Sequence, residues 1–267
     1  TLAIALEHTA ERTALLMMDQ RSELSRLLVR AYRECLPGAR ILDFDQLEPT
    51  AVRAALQELQ EHDLAILIQS SVLRIPEFRT RVELYRRNVK VIEHANLERI
   101  EAQQLEHYIA ALAYDPTYYR DVGHQLKALM DGASSARVVS EGEVLHFACA
   151  LEPAKLNIGH FAGLKNVGSQ FPIGEVFSEA RDLEQVQGRV KIYAFADTSF
   201  RLNAPAEPIT LVIERGRVVE ALGTSQEFER VLSAIRADEG EVWLRELGFG
   251  MNRAFSRERR VSDVGAF

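Results

Sequence analysis

Short apolar segments alternate with amphipathic segments along the first part of the chain. Residues 13–18, 40–44, 64–68 and 89–92 are mostly apolar, and each is too short for a helix. Between them, apolar residues recur every three or four positions, which is the period of a helix with one buried face. Apolar strands separated by such helices are typical of a parallel sheet that is covered on both faces. We therefore predict a four-stranded parallel sheet within residues 13–93.

The same period predicts the helices of the first half of the chain. They span residues 22–35, 50–61, 76–88, 102–113 and 117–130. A small, polar segment follows at residues 131–135, and this composition is typical of a linker. Because a chain of 267 residues is long for one domain, we place a domain boundary there. The first domain then spans residues 1–132 and the second spans residues 136–267.

The second domain is predicted to be rich in strands. Residues 138–139, 144–149, 190–195, 209–213 and 218–219 are strand-like. Arg215 and Gly216 form a tight hairpin between the last two, because glycine readily adopts the positive φ that such turns require. One helix is predicted at residues 225–237. The fold class is therefore α/β: a parallel-sheet domain followed by a strand-rich α+β domain.

Charge and composition exclude several classes of function. A formal net charge of -7 disfavours a nucleic-acid partner, since phosphate binding requires a basic face. No apolar run approaches the roughly 20 residues of a membrane helix, and residues 1–12 lack the basic start of a signal peptide. We therefore expect a cytoplasmic protein with no membrane partner. Cys35 and Cys149 lie in apolar stretches and are predicted to be reduced core residues.

The turn after the first strand contains no glycine. It reads Asp19-Gln20-Arg21-Ser22, whereas a dinucleotide site needs glycines so that the backbone can approach the pyrophosphate. A nicotinamide or flavin enzyme is therefore disfavoured, despite the α/β pattern.

Candidate functional residues lie in two glycine-containing regions of the second half. His160 and Lys165 belong to a predicted loop at residues 157–171, and functional residues are often placed on loops. Glu175 begins a strand after a proline and a glycine, and Glu246 lies at a strand end that breaks into glycines. Two carboxylates at strand ends suit a hard cation or acid–base chemistry. The alternative is that both are surface glutamates beside turns.

Three segments carry a resemblance to known families. They are Pro-x-Gly-Glu-Val-Phe at residues 172–177, Gly-Arg-Val-Val-Glu at 216–220 and Glu-Leu-Gly-x-Gly-x-Asn at 246–252. Together they resemble the aminopeptidase T metallopeptidases, and they are similar to the 2,5-dihydroxypyridine 5,6-dioxygenases. The resemblance implies a Rossmann-like N-terminal domain without a nucleotide. It also implies that Glu175 and Glu246 match metal ligands of the peptidases, and that Glu246 matches an iron-binding histidine of the dioxygenases.

One part of the family pattern is missing from this sequence. In both families the remaining metal ligands lie further downstream and end in a His-x-Asp motif, which occurs nowhere here, and no histidine follows His160. A catalytic zinc needs three protein ligands and an open position. We therefore expect a truncated relative with no cofactor. The alternative is a divalent metal, zinc or ferrous iron, if further ligands lie beyond residue 267.

The favoured hypothesis is a binding protein without classical metalloenzyme activity. It binds a peptide or small molecule in a groove between the domains, at His160, Lys165, Glu175 and Glu246. The resemblance implies a homodimer that acts in the biosynthesis of a ribosomally made, modified peptide of the crocagin type. Two alternatives stay open. One is a metal-dependent aminopeptidase or ring-cleaving dioxygenase, and the other is a non-metal enzyme that uses His160 and Glu175 as an acid–base pair.

Overall fold

The computed structural model describes residues 2–76, 78–161 and 163–267. Its helices are α1 (Leu2–Ala5), α2 (Glu23–Cys35), α3 (Pro49–Glu58), α4 (Thr80–Arg86), α5 (Leu105–Ala111), α6 (Pro116–Gly132) and α7 (Gln226–Glu239). Its strands are β1 (Ala14–Met18), β2 (Arg40–Asp43), β3 (Leu64–Ile68), β4 (Lys90–His94), β5 (Ala136–Ser140), β6 (Glu143–Phe147), β7 (Lys155–Asn157), β8 (Gly168–Gln170), β9 (Glu175–Glu179), β10 (Val186–Ile192), β11 (Phe195–Ala196), β12 (Leu202–Asn203), β13 (Ile209–Glu214), β14 (Arg217–Leu222) and β15 (Glu246–Gly250).

The chain divides into two compact units, each assembled from separate segments. Unit 1 contains Thr1–Tyr119, Gly159–Ile173 and Asn252–Phe267, and unit 2 contains Arg120–Ile158 and Gly174–Met251. The division falls within α6. The predicted domain bounds, residues 1–132 and 136–267, stay a prediction.

A parallel sheet forms the centre of unit 1. The strand order is β2, β1, β3, β4, β8, and every neighbouring pair is parallel. The predicted parallel arrangement of the four strands within residues 13–93 is confirmed.

The fifth strand, β8, falls in the segment that the sequence predicted as a loop. Its first residue, Gly168, has a φ of 137°, and a Cβ there would lie 1.9 Å from the carbonyl oxygen of Val91. The pairing with β4 therefore requires glycine, which gives no strand signal in the sequence.

Apolar clusters cover both faces of this sheet. Alternate strand residues point to opposite faces, so Leu16 and Ile66 belong to one buried cluster, and Leu15 and Leu67 belong to the other. Helix α2 packs on the first face through Leu24, Leu28 and Val29. Helices α3 and α4 pack on the second through Val52, Leu56 and Leu84. Burial on both sides explains why the strands of unit 1 read as continuous apolar runs.

Two further predictions, about the helix before β4 and about the two cysteines, were wrong. The helix predicted at residues 76–88 forms only at Thr80–Arg86, because Ile75 and Phe78 pair in an isolated bridge before it. Cys35 is exposed and Cys149 is half-buried, although both are free thiols. Cys35 ends α2, whose fully buried positions stop at Val29, so its apolar sequence surroundings do not translate into burial.

Unit 2 is rich in strands, as its sequence predicted. β14, β13, β10, β6 and β5 form a five-stranded sheet in that order, and β15, β9 and β7 form a three-stranded sheet. All these pairs are antiparallel. The predicted hairpin joins β13 to β14 through Arg215 and Gly216, with φ of 48° and 76°. Over the described residues of both units, no helix is long and apolar enough to cross a membrane.

The buried carboxylate of Asp19 joins the ends of β1 and β3. Asp19 is 0% exposed, and it accepts hydrogen bonds from the backbone N–H of Ser70 (2.6 Å), the hydroxyl of Ser70 and the backbone N–H of Arg21. Ser22 donates its backbone N–H to the Ser70 hydroxyl and accepts from the N–H of Ser25, which caps α2. The glycine-free turn is therefore filled by side chains of the protein itself.

A buried histidine links β4 to two tyrosines. Tyr108 donates its hydroxyl proton to the carbonyl of Phe171, so the Nδ1–H of His94 must donate to Tyr108 at 2.9 Å. Nε2 of His94 is then unprotonated and accepts from the hydroxyl of Tyr32 at 2.8 Å. Burial lowers the pKa of His94 to about 3. Burial also raises the pKa of both tyrosines, so the network is uncharged at neutral pH.

We expect the Asp19→Ala substitution to destabilise the protein by about 2–4 kcal/mol, because it leaves buried N–H groups without acceptors. The matched control is Asp45→Ala, which removes an exposed ion pair with Arg21 and should cost less than about 1 kcal/mol. Urea unfolding followed by circular dichroism measures both. Equal losses in the two variants would contradict a structural role for the Asp19 bonds.

The histidine network predicts a pH dependence of stability. Between pH 6.5 and the folded pKa of about 3, unfolded His94 binds a proton that the folded protein does not bind. The free energy of unfolding should therefore fall as the pH drops below 6.5, by about 1.4 kcal/mol per pH unit from this group. Urea unfolding at several pH values should show a shallower dependence in His94→Gln. The exposed His146 supplies the control, and a His146→Gln variant that loses the same slope would refute the assignment.

Candidate functional site

The four predicted site residues are divided between the two units. His160 and Lys165 are exposed residues of unit 1, and Lys165 lines an open basic depression with Arg81 and Arg86. Glu175 and Glu246 belong to unit 2, where each is the first residue of a strand, β9 and β15. The placement of Glu175 agrees with the sequence. Glu246 was expected at the end of a strand. Instead it begins β15, and this strand continues through the glycines.

Strand pairing places Glu175 and Glu246 on one face of the three-stranded sheet. Opposite residues share a face, and the register pairs Gly250 with Glu175, Gly248 with Phe177 and Glu246 with Glu179. Strand β7 adds Asn157 opposite Glu175 and Lys155 opposite Phe177. We call this surface the carboxylate face: Lys155, Asn157, Glu175, Phe177, Glu179, Glu246, Gly248 and Gly250. The other face of β9 is buried through Val176 and Ser178.

Gly248 leaves space for the side chain of Glu175. A Cβ at Gly248 would lie 2.9 Å from Oε1 of Glu175, so this carboxylate lies over the glycine. Burial of Glu175, together with the negative charge of Glu246, raises the pKa of the Glu175 carboxyl. Glycine at position 248, two residues after Glu246, therefore leaves the space into which the Glu175 side chain extends.

The carboxylate face concentrates negative charge. Among the described residues, Glu175, Glu179 and Glu246 form no ion pair within 4.0 Å. The ammonium of Lys155 lies 5.5 Å from the centre of the Phe177 ring. Glu179 and Glu246 lie directly opposite each other, and like charges in this position destabilise a sheet. A cation bound here would relieve that repulsion.

The outer edge of β15 carries free backbone groups. Within the described chain β15 pairs with β9 alone, and Gly248, Phe249 and Gly250 are exposed. Met251 donates its N–H to the carbonyl of Gly174 at 2.7 Å, which continues the register of β15 on β9. Bonded and outward positions alternate in an antiparallel ladder. The N–H and C=O groups of Gly248 and Gly250 therefore point away from β9.

The donor set of this face does not fit a catalytic transition metal. Such a site takes three protein ligands and one open position. Nowhere in the described ranges do three or more His, Cys, Asp or Glu residues come together in a group that could hold a metal ion. What the face presents is a group of carboxylates beside an exposed strand edge.

Sequence reasoning missed Glu179, which completes the charge of this face. The signal was present, because residues i, i+2 and i+4 of a strand share a face and Glu179 stands four positions after Glu175. The position of Glu179 opposite Glu246 depends on the register between β9 and β15, and this register cannot be read from the sequence.

Comparison with known proteins gives similarity at the level of structure. No protein-family model matches the chain, and no curated protein sequence matches it. The 2,5-dihydroxypyridine dioxygenase from Pseudomonas putida KT2440 superimposes with a TM-score of 0.64 at 15% identity, over 98% of this chain and 80% of that one. AmpT from Thermus thermophilus superimposes with a TM-score of 0.55 at 15% identity, over 93% of this chain and 76% of that one. The resemblance that three short segments indicated is confirmed, and the chain has the fold of these two proteins.

Proposed function

We propose that this protein binds an extended, positively charged peptide along the outer edge of β15. The observation that carries the proposal is the combination of a free, exposed strand edge with three glutamates that lack ion-pair partners among the described residues. The edge supplies hydrogen bonds to the peptide main chain, and the carboxylate face supplies the preference for charge.

Strand addition is the recognition mode that suits this edge. An extended peptide can pair with unpaired N–H and C=O groups of an edge strand, as in other proteins that bind peptides by augmenting a sheet. Gly248 and Gly250 carry no side chains that would obstruct a second backbone. Natural proteins normally protect such edges with bulges, prolines or covering loops, so an exposed, glycine-containing edge is a feature that binding would explain.

Charge selects the ligand. Glu175, Glu179 and Glu246 create a negative surface that favours lysine, arginine or an N-terminal ammonium. Because the pKa of Glu175 is raised, the affinity for a cationic peptide should depend on pH. As the pH falls, Glu175 takes up a proton, and the attraction for a cationic peptide should weaken.

The biological setting of this binding is a further part of the proposal. Peptide binding without metalloenzyme activity suits an accessory protein in the biosynthesis of a ribosomally made, modified peptide. The involvement of His160 and Lys165 in a groove between domains stays a prediction, as does the hypothesis that pairs His160 with Glu175. The proposed homodimer would compete for the same edge if two copies paired through β15.

We expect Gly250→Pro to weaken binding of an alternating Lys-Val peptide by at least about tenfold, because proline removes an outward N–H without breaking a bond to β9. Gly250→Ala is the matched control, since a Cβ there meets no atom within 4 Å, and it should bind normally. Calorimetric titration measures both. Size-exclusion chromatography of the two variants shows whether the same edge holds a second copy of the chain.

The charge component is tested with the same peptide in two further comparisons. Glu246→Gln should weaken binding, and an alternating Glu-Val peptide of equal length should bind at least about tenfold more weakly. The proposal fails if the acidic peptide binds equally well, if the basic peptide does not bind, or if Gly250→Pro leaves its affinity unchanged.

A second candidate function is a metal-dependent aminopeptidase or a ring-cleaving dioxygenase. The shared fold with one enzyme of each kind favours it, and Glu175 and Glu246 would be two of the ligands. The donor set described above opposes it, because two carboxylates do not complete a zinc or ferrous site.

Metal content separates the two candidates. We expect the purified protein to retain far less than one equivalent of zinc or iron after dialysis, because two carboxylates hold such ions weakly. Elemental mass spectrometry measures the content. One retained equivalent that disappears in Glu246→Ala, and persists in the exposed control Glu220→Ala, would favour the enzyme.

A further inference from the structure

A second concave site lies within unit 1, beneath the connection from β3 to α4. It is a pocket of ≈ 400 Å³, which falls in the size range of small-molecule sites. Its walls are mostly apolar and come from β1, the turn after β2, α3, β3 and the segment before α4. They include Met17, Phe44, Leu56, Leu67, Ile75 and Phe78.

The position of this pocket is one where parallel sheets bind ligands. The strand order reverses between β1 and β3, and open α/β sheets place ligands outside the carboxyl ends of strands at such a point. In this protein the turn after β1 is filled by Asp19 and Ser70. The pocket opens beside that turn, with Met17 near the end of β1 and Gln69 just after β3.

The polar groups at the floor of the pocket are already matched. Glu93 is buried and pairs with Arg81 at 3.1 Å. It also accepts from Nε2 of Gln69 at 3.0 Å, and Oε1 of Gln69 accepts from the N–H of Leu73 at 2.8 Å. The negative charge of Glu93 is therefore balanced by Arg81 before any ligand enters.

Two further arginines add positive charge to the described part of the pocket lining. Arg74 and Arg79 line it and are exposed, and within the described ranges neither has an ion-pair partner. Among the described lining residues, three arginines accompany one glutamate, in a chain whose net charge is -7. Guanidinium groups bind carboxylates through paired hydrogen bonds.

We propose that this pocket binds an organic carboxylate with an apolar body, such as a medium-chain aliphatic or aryl-alkanoic acid. The apolar walls bury the body of the ligand, and Arg74 and Arg79 bind its carboxylate at the rim. The site is independent of the strand edge in unit 2 and takes a ligand of the opposite charge.

The test uses octanoate, 3-phenylpropionate, acetate and the neutral amides of the first two acids. Titration calorimetry and ligand-observed NMR on the full chain measure their binding. We expect at least one of the two larger acids to bind, and its amide and acetate to bind at least about tenfold more weakly. The double variant Arg74→Gln/Arg79→Gln should weaken the acid by at least about tenfold. Arg230→Gln, on an exposed ion pair of α7, should leave its affinity unchanged.

Three outcomes would overturn the proposal. The first is that neither larger acid binds. The second is that the acid and its amide bind equally, and the third is that the double variant retains full affinity for the acid. Thermal unfolding of the double variant serves as a check on folding, and both arginines are exposed, so its melting temperature should match that of the Arg230→Gln control.

Discussion

The buried carboxylate of Asp19 is the interaction on which the organisation of unit 1 depends. It accepts from backbone groups after both β1 and β3, and it has no access to water, so each bond replaces hydration that the group has lost. In dinucleotide-binding folds, glycines at this turn leave room for a phosphate. Here a carboxylate and two serine hydroxyls occupy the turn. The ligand proposed for unit 1 is therefore placed at a neighbouring surface, the apolar pocket under the β3–α4 connection.

Unit 2 solves a different physical problem. Its three-stranded sheet buries one side of β9, yet leaves the edge of β15 exposed and places Glu179 opposite Glu246. Both features cost stability when the protein is alone, because backbone groups stay unpaired and like charges repel. A cationic peptide would satisfy the backbone groups and neutralise the charges in one binding event. The two proposed sites thus attract ligands of opposite charge through unrelated structural elements.

The fold is shared with a dioxygenase and an aminopeptidase, whereas the chemistry at the corresponding surface is not fixed by that likeness. A fold determines which strand ends come together, and the side chains at those ends determine what is bound. In this chain Glu175 and Glu246 are brought together on one sheet face, and the described residues around them form no metal-binding group. The shared fold therefore does not by itself assign the chemistry of this surface.

The sequence alone determined the local elements, because burial on one or both faces leaves a period that can be read directly. The four parallel strands within residues 13–93, the hairpin at Arg215 and Gly216, and the start of β9 at Glu175 were all predictable in this way. Tertiary structure alone decided the pairings between distant segments. Gly168 joins β8 to β4 because its missing Cβ allows the approach to Val91, and β15 brings Glu246 opposite Glu179 through backbone hydrogen bonds. Such bonds depend on groups common to every residue, so the sequence carries no local record of which strands they will join.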